Sequence, residues 1–136
     1  GPDRDHLQNI LIKSNTRGKL IKFSQKSEIK YLKKCHLYIS SSDFEGYPNT
    51  VVQAINNNLP ILSTQSHGGI NEILLFGKGG TFYKKRNIKD LSEKIILMIK
   101  NYNKFLKKTQ YAKSQLKRFL PIRSVTKFDY LIKNIK

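Results

Sequence analysis

Two short polar loops of this chain hold the residue types best suited to binding a ligand. The first reads DFEGYPN over residues 43–49 and contains two carboxylates, a glycine and a proline, while the second reads QSHGG over residues 65–69. A segment with helical spacing follows each loop, and the N–H groups at the start of a helix favour anions such as phosphate. The two loops therefore indicate a site for a phosphorylated ligand, although ordinary turns in which Asp43 or Asn49 caps a helix would have the same composition.

These loops need a framework that brings them together, and the apolar pattern predicts one. Short apolar runs alternate with segments of helical period as far as residue 84, and helices take over afterwards. This order predicts an α/β fold, in which a parallel sheet has helices on both faces and the C-terminal end is helical. Because the carboxyl ends of parallel strands meet at one edge, both loops should lie at that edge. The predicted strands cover 19–24, 37–42, 60–64 and 79–84, and the predicted helices cover 3–14, 28–35, 49–58, 68–77, 88–102 and 103–120.

The composition favours anionic partners. The 136 residues include 26 lysines and arginines against 9 acids, which leaves a formal charge of +17. Such a surface favours phosphate-bearing ligands, nucleic acid or an anionic membrane. Nucleic acid is the weakest of the three, because the lysines are spread along the chain and neither zinc spacing nor a paired aromatic signature is present. One amphipathic segment is a candidate for docking on anionic lipid, or alternatively a solvated face over a core contact, and its basic residues are Lys104, Lys107, Lys108, Lys113, Lys117 and Arg118.

Cysteine and histidine content narrows the class further. Cys35 is the only cysteine, so no intrachain disulfide is possible, which fits a reducing cytoplasmic compartment; we expect it to be a small core residue. His6, His36 and His67 are scattered along the chain, and we expect no metal site. No stretch approaches the roughly 18–20 apolar residues of a membrane-spanning helix.

The segment DFEGYPNTVVQAINNNLPILSTQSHGGINEIL, residues 43–74, resembles the donor-binding half of retaining GT-B glycosyltransferases of family four. The following block, GKGGTFYKKRNIKDLSEKI over 77–95, is similar to the glycine-rich hairpin and helix that come next in that family, and the resemblance covers most of residues 1–120. It implies a Rossmann-like parallel sheet flanked by helices, with 121–136 as a helical tail. The residues that match the family's motif are Glu45, Ala54, Pro60, Ile61, Gly68, Gly69 and Glu72.

The chain departs from the family pattern at three places. Gln53 stands where the family has its second glutamate, and Asn58 stands where a glycine usually precedes the proline. The chain also begins at a Gly-Pro turn, so the first strand–helix–strand of the donor domain and an N-terminal acceptor domain are expected to be missing. Gln53 keeps the shape of a glutamate but loses its charge, which would weaken bonds to ribose hydroxyls. A native residue in an adapted pocket and an engineered inactivating change both remain open.

The resemblance implies a nucleotide-sugar donor, linked to UDP or GDP, and no cofactor or protein-bound metal. Glu45 would accept hydrogen bonds from hexose hydroxyls and is the expected catalytic residue. The main chain of 47–50 would hold sugar or phosphate oxygens, since Gly46 lets the backbone approach closely and Pro48 sets the helix entry. The donor-binding residues implied are Gly46, Tyr47, Pro48, Asn49, Thr50, Gln53, His67, Gly68 and Gly69.

The function expected from these features is the donor-binding part of a retaining bacterial hexosyltransferase that acts on a cell-envelope glycan or a lipid-linked acceptor. Without its acceptor domain the chain alone should bind the donor weakly and transfer nothing. Two alternatives stay open at this point. One is a non-catalytic module that binds sugar nucleotides, which the glutamine at position 53 would permit, and the other is a basic domain that binds nucleic acid or an anionic membrane on the inner face of the cell.

Overall fold

A computed structural model of the chain describes residues 3–15, 17–21, 24–44, 46–66 and 68–119, with the side chains of 25–27 excepted. The chain divides into two compact units, Gly1–Tyr31 and Leu32–Lys136. The helices are α1 (Arg4–Lys13), α2 (Gln25–Leu32), α3 (Asn49–Asn56), α4 (Ile70–Ile73), α5 (Ile88–Lys100) and α6 (Tyr102–Gln115), and the strands are β1 (Tyr38–Ser40), β2 (Ile61–Thr64) and β3 (Thr81–Tyr83). Short 3₁₀ turns follow at Leu75–Gly77 and Leu116–Phe119.

The first unit contains α1 and most of α2. Asp5 in the first turn of α1 and Lys13 in the last turn complement the helix dipole. After α1 the chain turns back closely at Gly18, where an added Cβ would lie 2.6 Å from Leu11 Cδ2. The apolar residues of α1 have the predicted helical spacing, but the helix has no buried residue.

The second unit is built on a three-stranded parallel sheet in the order β1-β2-β3. β2 is central, and all four of its residues are buried, as expected for a strand covered on both faces. Its side chains alternate, because Ile61 packs with the core on one face of the sheet and Leu62 packs with the core on the other. Helices therefore flank the sheet, as the sequence predicts.

The larger core lies between the sheet and helices α3, α4 and α6. Three residues of α3 are buried there at the helical spacing of its apolar face, Val51, Ala54 and Ile55. The smaller core lies on the other face, where Met98 of α5 and Phe105 of α6 pack against Leu62 and Tyr83. Helices thus cover both faces of the sheet, and the loops lie at the two ends of its strands.

Three details differ from the sequence prediction. The predicted strand over 19–24 does not form within its described residues, 19–21 and 24. The helix predicted over 68–77 is short, because α4 ends at Ile73 and the chain then turns through left-handed backbone. Cys35 is exposed rather than part of the core, since α2 ends at Leu32 and carries Cys35 beyond its last turn. The tail predicted over 121–136 lies outside the described residues, so the domain boundary at residue 120 stays a prediction.

No helix in the described part of the chain combines the length and the apolar character needed to cross a membrane.

Candidate functional site

The two polar loops meet at one edge of the sheet. β1 and β2 are adjacent and parallel, so the loops that follow Ser40 and Thr64 leave the sheet at the same edge. The N–H of Gly69 donates a hydrogen bond to the carbonyl of Gly46 at 2.8 Å. A main-chain bond therefore joins the acidic bend and the paired-glycine bend, which are 23 residues apart in sequence and were expected to be neighbours.

Each of the paired glycines is required for a different reason. Gly68 has φ 114°, in the left-handed region that side chains rarely adopt. Gly69 has ordinary helical dihedrals, but an added Cβ would lie 2.6 Å from the Gly46 carbonyl oxygen. The contact between the two bends is thus possible only because residue 69 has no side chain.

Gly46 differs from Gly69, because no atom of the described residues beyond its two chain neighbours lies within 4 Å of the position its Cβ would occupy. Gly46 is exposed, and packing in this structure does not require a glycine there. The open space beside it is what close approach of a ligand to the backbone would need.

Helix α3 begins at this edge without a side-chain cap. Its N-cap residue is Pro48, whose ring carries no acceptor, and the Pro48 carbonyl instead accepts from the N–H groups of Val51 and Val52 at 3.0 and 3.3 Å. Neither Asp43 nor Asn49 occupies the N-cap position, so the capping alternative suggested by the sequence is wrong for α3. A hydrogen bond attaches Thr50 to the sheet, since the hydroxyl of Tyr38 in β1 donates to Thr50 Oγ1 at 2.9 Å.

Gln53 lies one turn inside α3 and is half-buried. The main-chain carbonyl of Gln53 accepts hydrogen bonds from the main-chain N–H and the side-chain amide of Asn57 at 3.0 and 2.9 Å, and these bonds close the end of the helix. Tyr47 lies before the helix, and its ring packs edge-on against Phe119 with centroids 5.7 Å apart. The Tyr47 side chain is therefore held by packing, and its main chain is the part nearest Gly46.

Asp43 is engaged on the side of the sheet edge that adjoins β3. Its carboxylate accepts from Arg86 Nη2 at 2.8 Å and lies 3.5 Å from Lys85 Nζ. The hydrogen bond from Arg86 is the main reason that the pKa of Asp43 lies below its ordinary value of 3.8, with the charge of Lys85 acting in the same direction. This pair joins the loop after β1 to the loop after β3 and gives Asp43 a structural role.

A small cavity of about 160 Å³ lies beside this ion pair, and Ser41, Thr64 and Tyr83 contribute to it from the ends of all three strands. A volume below about 300 Å³ is small for an organic ligand. The cavity is therefore too small to be the whole of a nucleotide-sugar pocket.

Ser66 is a residue to which the sequence assigned no role. It is 5% exposed, and its hydroxyl has no hydrogen-bond partner among the described residues, although its carbonyl accepts from Asn71 Nδ2 at 3.1 Å. A buried hydroxyl without a partner is uncommon and is usually explained by a bound water, an ion or a functional role. Its place three residues before Gly69, in the second bend, was the only sequence signal available.

Glu45 and His67 lie outside the described residues, so their expected roles stay predictions. The hydrogen bond from Gly69 to Gly46 joins the main chain one residue after Glu45 to the main chain two residues after His67.

Comparison with known proteins identifies the fold and family. The sequence matches the Glycosyl transferases group 1 family over residues 1–115. The chain belongs to this family. Both the family and the parallel-sheet fold predicted from the sequence are thereby confirmed.

Two relatives in this family are uncharacterised glycosyltransferases of Methanocaldococcus jannaschii. One is 37% identical over 75 residues, or 54% of this chain, and the other is 30% identical over 97 residues, or 70% of this chain. These matches span 18% and 27% of the two relatives, so the chain corresponds to a minor part of their length.

A solved structure supports the fold independently. The C-terminal domain of LpcC, a glycosyl transferase group 1 family protein of Francisella tularensis, is similar with a TM-score of 0.65 and 14% identity. The match covers 85% of this chain and 63% of that domain. At this identity the likeness shows the fold, an open Rossmann-like parallel sheet of the GT-B C-terminal type.

Proposed function

We propose that this chain is the nucleotide-sugar-binding part of a retaining glycosyltransferase that transfers a hexose to a cell-envelope glycan or a lipid-linked acceptor. The observation that supports it best is the 2.8 Å hydrogen bond from Gly69 to Gly46, which unites the two motif loops at the edge where parallel sheets bind ligands. An acceptor domain outside the present chain would complete the enzyme.

The donor phosphates would lie over the starts of α3 and α4. Neither N-cap residue of these helices, Pro48 or Gly69, makes a side-chain capping bond. Main-chain N–H groups in such a position favour a diphosphate, and the open space beside Gly46 allows a ligand to come close. The buried Ser66 hydroxyl would gain a partner from a bound ligand or from water.

Glu45 would accept hydrogen bonds from the hexose, and Gln53 would face the ribose from α3. A neutral amide binds hydroxyls less strongly than a carboxylate. This exchange motivates a second proposal, that the chain is a sugar-nucleotide-binding module without transfer activity. The two proposals share the same site and differ only in turnover.

Isothermal titration of the 136-residue chain with UDP, GDP and their hexose derivatives tests the shared site. Because Glu45 is assigned to the hexose, Glu45→Gln should weaken binding of the sugar nucleotide about tenfold and leave the bare nucleoside diphosphate unchanged. Asp43→Asn is the matched control, since that carboxylate pairs with Arg86 and should not alter either affinity. Equal losses in the two variants, or no nucleotide binding at all, would contradict the site.

The anomeric configuration of the product, followed by NMR with the protein that contains this chain, tests the retaining assignment. Hydrolysis or transfer with retention supports the enzyme. Donor binding without turnover would favour the non-catalytic module.

A further inference from the structure

We propose that the turn at Phe76 and the lysine-lined groove beside it form a docking surface for an anionic lipid bilayer. We call this the Phe76 surface. It consists of Phe76 and the groove residues Lys78, Asn103, Lys104, Lys107, Lys108 and Tyr111. The proposal does not depend on the function proposed above.

The groove has a volume of about 520 Å³, and none of the described residues that line it is acidic. Lys78, Lys104 and Lys107 are exposed, and no carboxylate pairs with them in the described part of the chain. These three lysines, in a chain of net charge +17, attract an anionic surface. Each exposed lysine near such a surface raises the affinity of the protein for it about fivefold.

Lys108 fixes the turn against the groove. Its ammonium donates to the carbonyls of Gly77 and Gly80 at 2.9 and 3.1 Å, which ties the chain before β3 to the middle of α6. Burial lowers the pKa of Lys108, and the neighbouring charges of Lys104 and Lys94 act in the same direction. The lysines and the Phe76 turn are therefore parts of one connected surface.

Phe76 is presented to solvent by an unfavourable backbone. Its side chain is 79% exposed, and its φ of 52° follows φ 55° at Leu75 and precedes φ 93° at Gly77. Left-handed dihedrals at two bulky residues in succession cost about 1–2 kcal/mol each. A strained turn that holds a large aromatic ring in water is the kind of outlier that indicates function.

An exposed aromatic ring next to a lysine-lined groove fits a bilayer better than it fits nucleic acid. The ring would enter the boundary between headgroups and acyl chains while the lysines contact lipid phosphates. Binding of a single strand relies on aromatic side chains that stack successive bases. Besides Phe76, this surface has one further aromatic residue, Tyr111 in the groove, and the vesicle and oligonucleotide measurements below separate the two partners.

The structure also excludes part of the basic segment that the sequence suggested for docking. Lys113 donates to the Asn56 carbonyl and to Asn58 Oδ1, and Arg118 donates to the Glu72 carbonyl. These two cations hold helices and loops together, so we leave them out of the Phe76 surface.

The Phe76 surface lies at the opposite edge of the sheet from the two motif loops. β3 begins at Thr81 and runs parallel to β2, so the turn before it lies where the strands begin. The loops after Ser40 and Thr64 lie where the strands end. A bilayer bound at Phe76 would therefore leave the candidate site uncovered.

Vesicle sedimentation with the full 136-residue chain tests the surface, using vesicles of equal parts phosphatidylglycerol and phosphatidylcholine and vesicles of phosphatidylcholine alone. We expect binding to the anionic vesicles only. Lys104→Gln/Lys107→Gln should weaken it about thirtyfold, and Phe76→Asn, which suits the left-handed turn, about tenfold. The matched controls are Lys84→Gln/Lys89→Gln and Ile88→Asn, which change exposed positions at the other edge of the sheet. Their vesicle affinity should stay within about threefold of the parent chain, a difference that allows for the lower net charge.

Tryptophan fluorescence tests insertion, because the chain contains no tryptophan. The emission of Phe76→Trp should shift to the blue on anionic vesicles, whereas that of Ile88→Trp should not. Equal vesicle affinity of the surface and control variants would overturn the proposal. An unshifted emission spectrum of Phe76→Trp would also overturn it. A third contrary outcome is a parent chain that binds a random oligonucleotide but no vesicles, and whose oligonucleotide binding is lost in Lys104→Gln/Lys107→Gln.

Discussion

The substitution Gly69→Ala examines the contact between the two motif loops directly. An alanine Cβ would lie 2.6 Å from the Gly46 carbonyl oxygen and 3.6 Å from Tyr47 Cα, so the two bends must separate. Relief of such a clash costs about 1–3 kcal/mol, and loss of the Gly69–Gly46 hydrogen bond adds about 1 kcal/mol. Alanine restricts the unfolded chain and suits the helical dihedrals of residue 69, which offsets about 0.4–1 kcal/mol. The unfolding free energy should therefore fall by about 2 kcal/mol.

Urea unfolding followed by circular dichroism measures this change. With a slope of about 2 kcal/mol per molar urea, the midpoint of Gly69→Ala should fall by about 1 M. Gly46→Ala is the matched control, since its Cβ meets no atom within 4 Å in the described part of the chain beyond its sequence neighbours, and its midpoint should match that of the parent chain. A midpoint for Gly69→Ala equal to the parent's would refute the argument that the absent side chain permits the contact.

The same pair of variants separates packing from ligand binding. Gly46→Ala should bind a nucleoside diphosphate sugar more weakly at unchanged stability, because the new methyl group occupies the open side of the bend. Gly69→Ala should lose both stability and affinity. Unchanged affinity in Gly46→Ala would show that no ligand approaches that backbone.

Three further outcomes are expected. Because the pKa of Asp43 is below its ordinary value, the ion pair with Arg86 stabilises the folded chain above pH 3.8 and is lost as the pH falls through the folded-state pKa; Asp43→Asn should remove that part of the acid dependence in urea titrations at several pH values. Thr109→Val should cost about 1 kcal/mol in urea unfolding, because the buried Thr109 hydroxyl donates to the Leu59 carbonyl at 3.2 Å. Gln53→Glu should raise donor affinity about tenfold in calorimetry, and equal affinity would mean that residue 53 does not bind the ribose.

The order of elements was predictable because it depends on local patterns. Apolar runs near 37–42, 60–64 and 79–84 became β1, β2 and β3, and the helical periods after residue 88 became α5 and α6. Periodicity failed where an element needs a distant partner. The apolar residues at 19–24 have strand-like composition, but no strand forms in the described part of that segment.

Side-chain roles within the site were predictable only in part. The two polar loops were expected to lie at the same edge of the sheet, and the Gly69–Gly46 hydrogen bond joins them there. The partner of Asp43 was not predictable, because Arg86 lies 43 residues away and reaches it only once β3 has paired with β2. The exposure of Cys35 and the unpartnered hydroxyl of Ser66 likewise depend on how the chain packs around them.

The sequence by itself determined the alternation of strands and helices, the basic character of the chain and the two polar loops of the candidate site, since these follow from residue types at short spacing. The family followed from the resemblance of residues 43–74 and 77–95 to a known motif. Only the tertiary structure decided which glycine permits the loop contact, which carboxylate forms an ion pair and which lysines line the groove beside Phe76. The physical reason is that each of these depends on atoms brought together from distant parts of the chain. Spacing along the sequence does not encode such distances; the packing of helices on the sheet sets them.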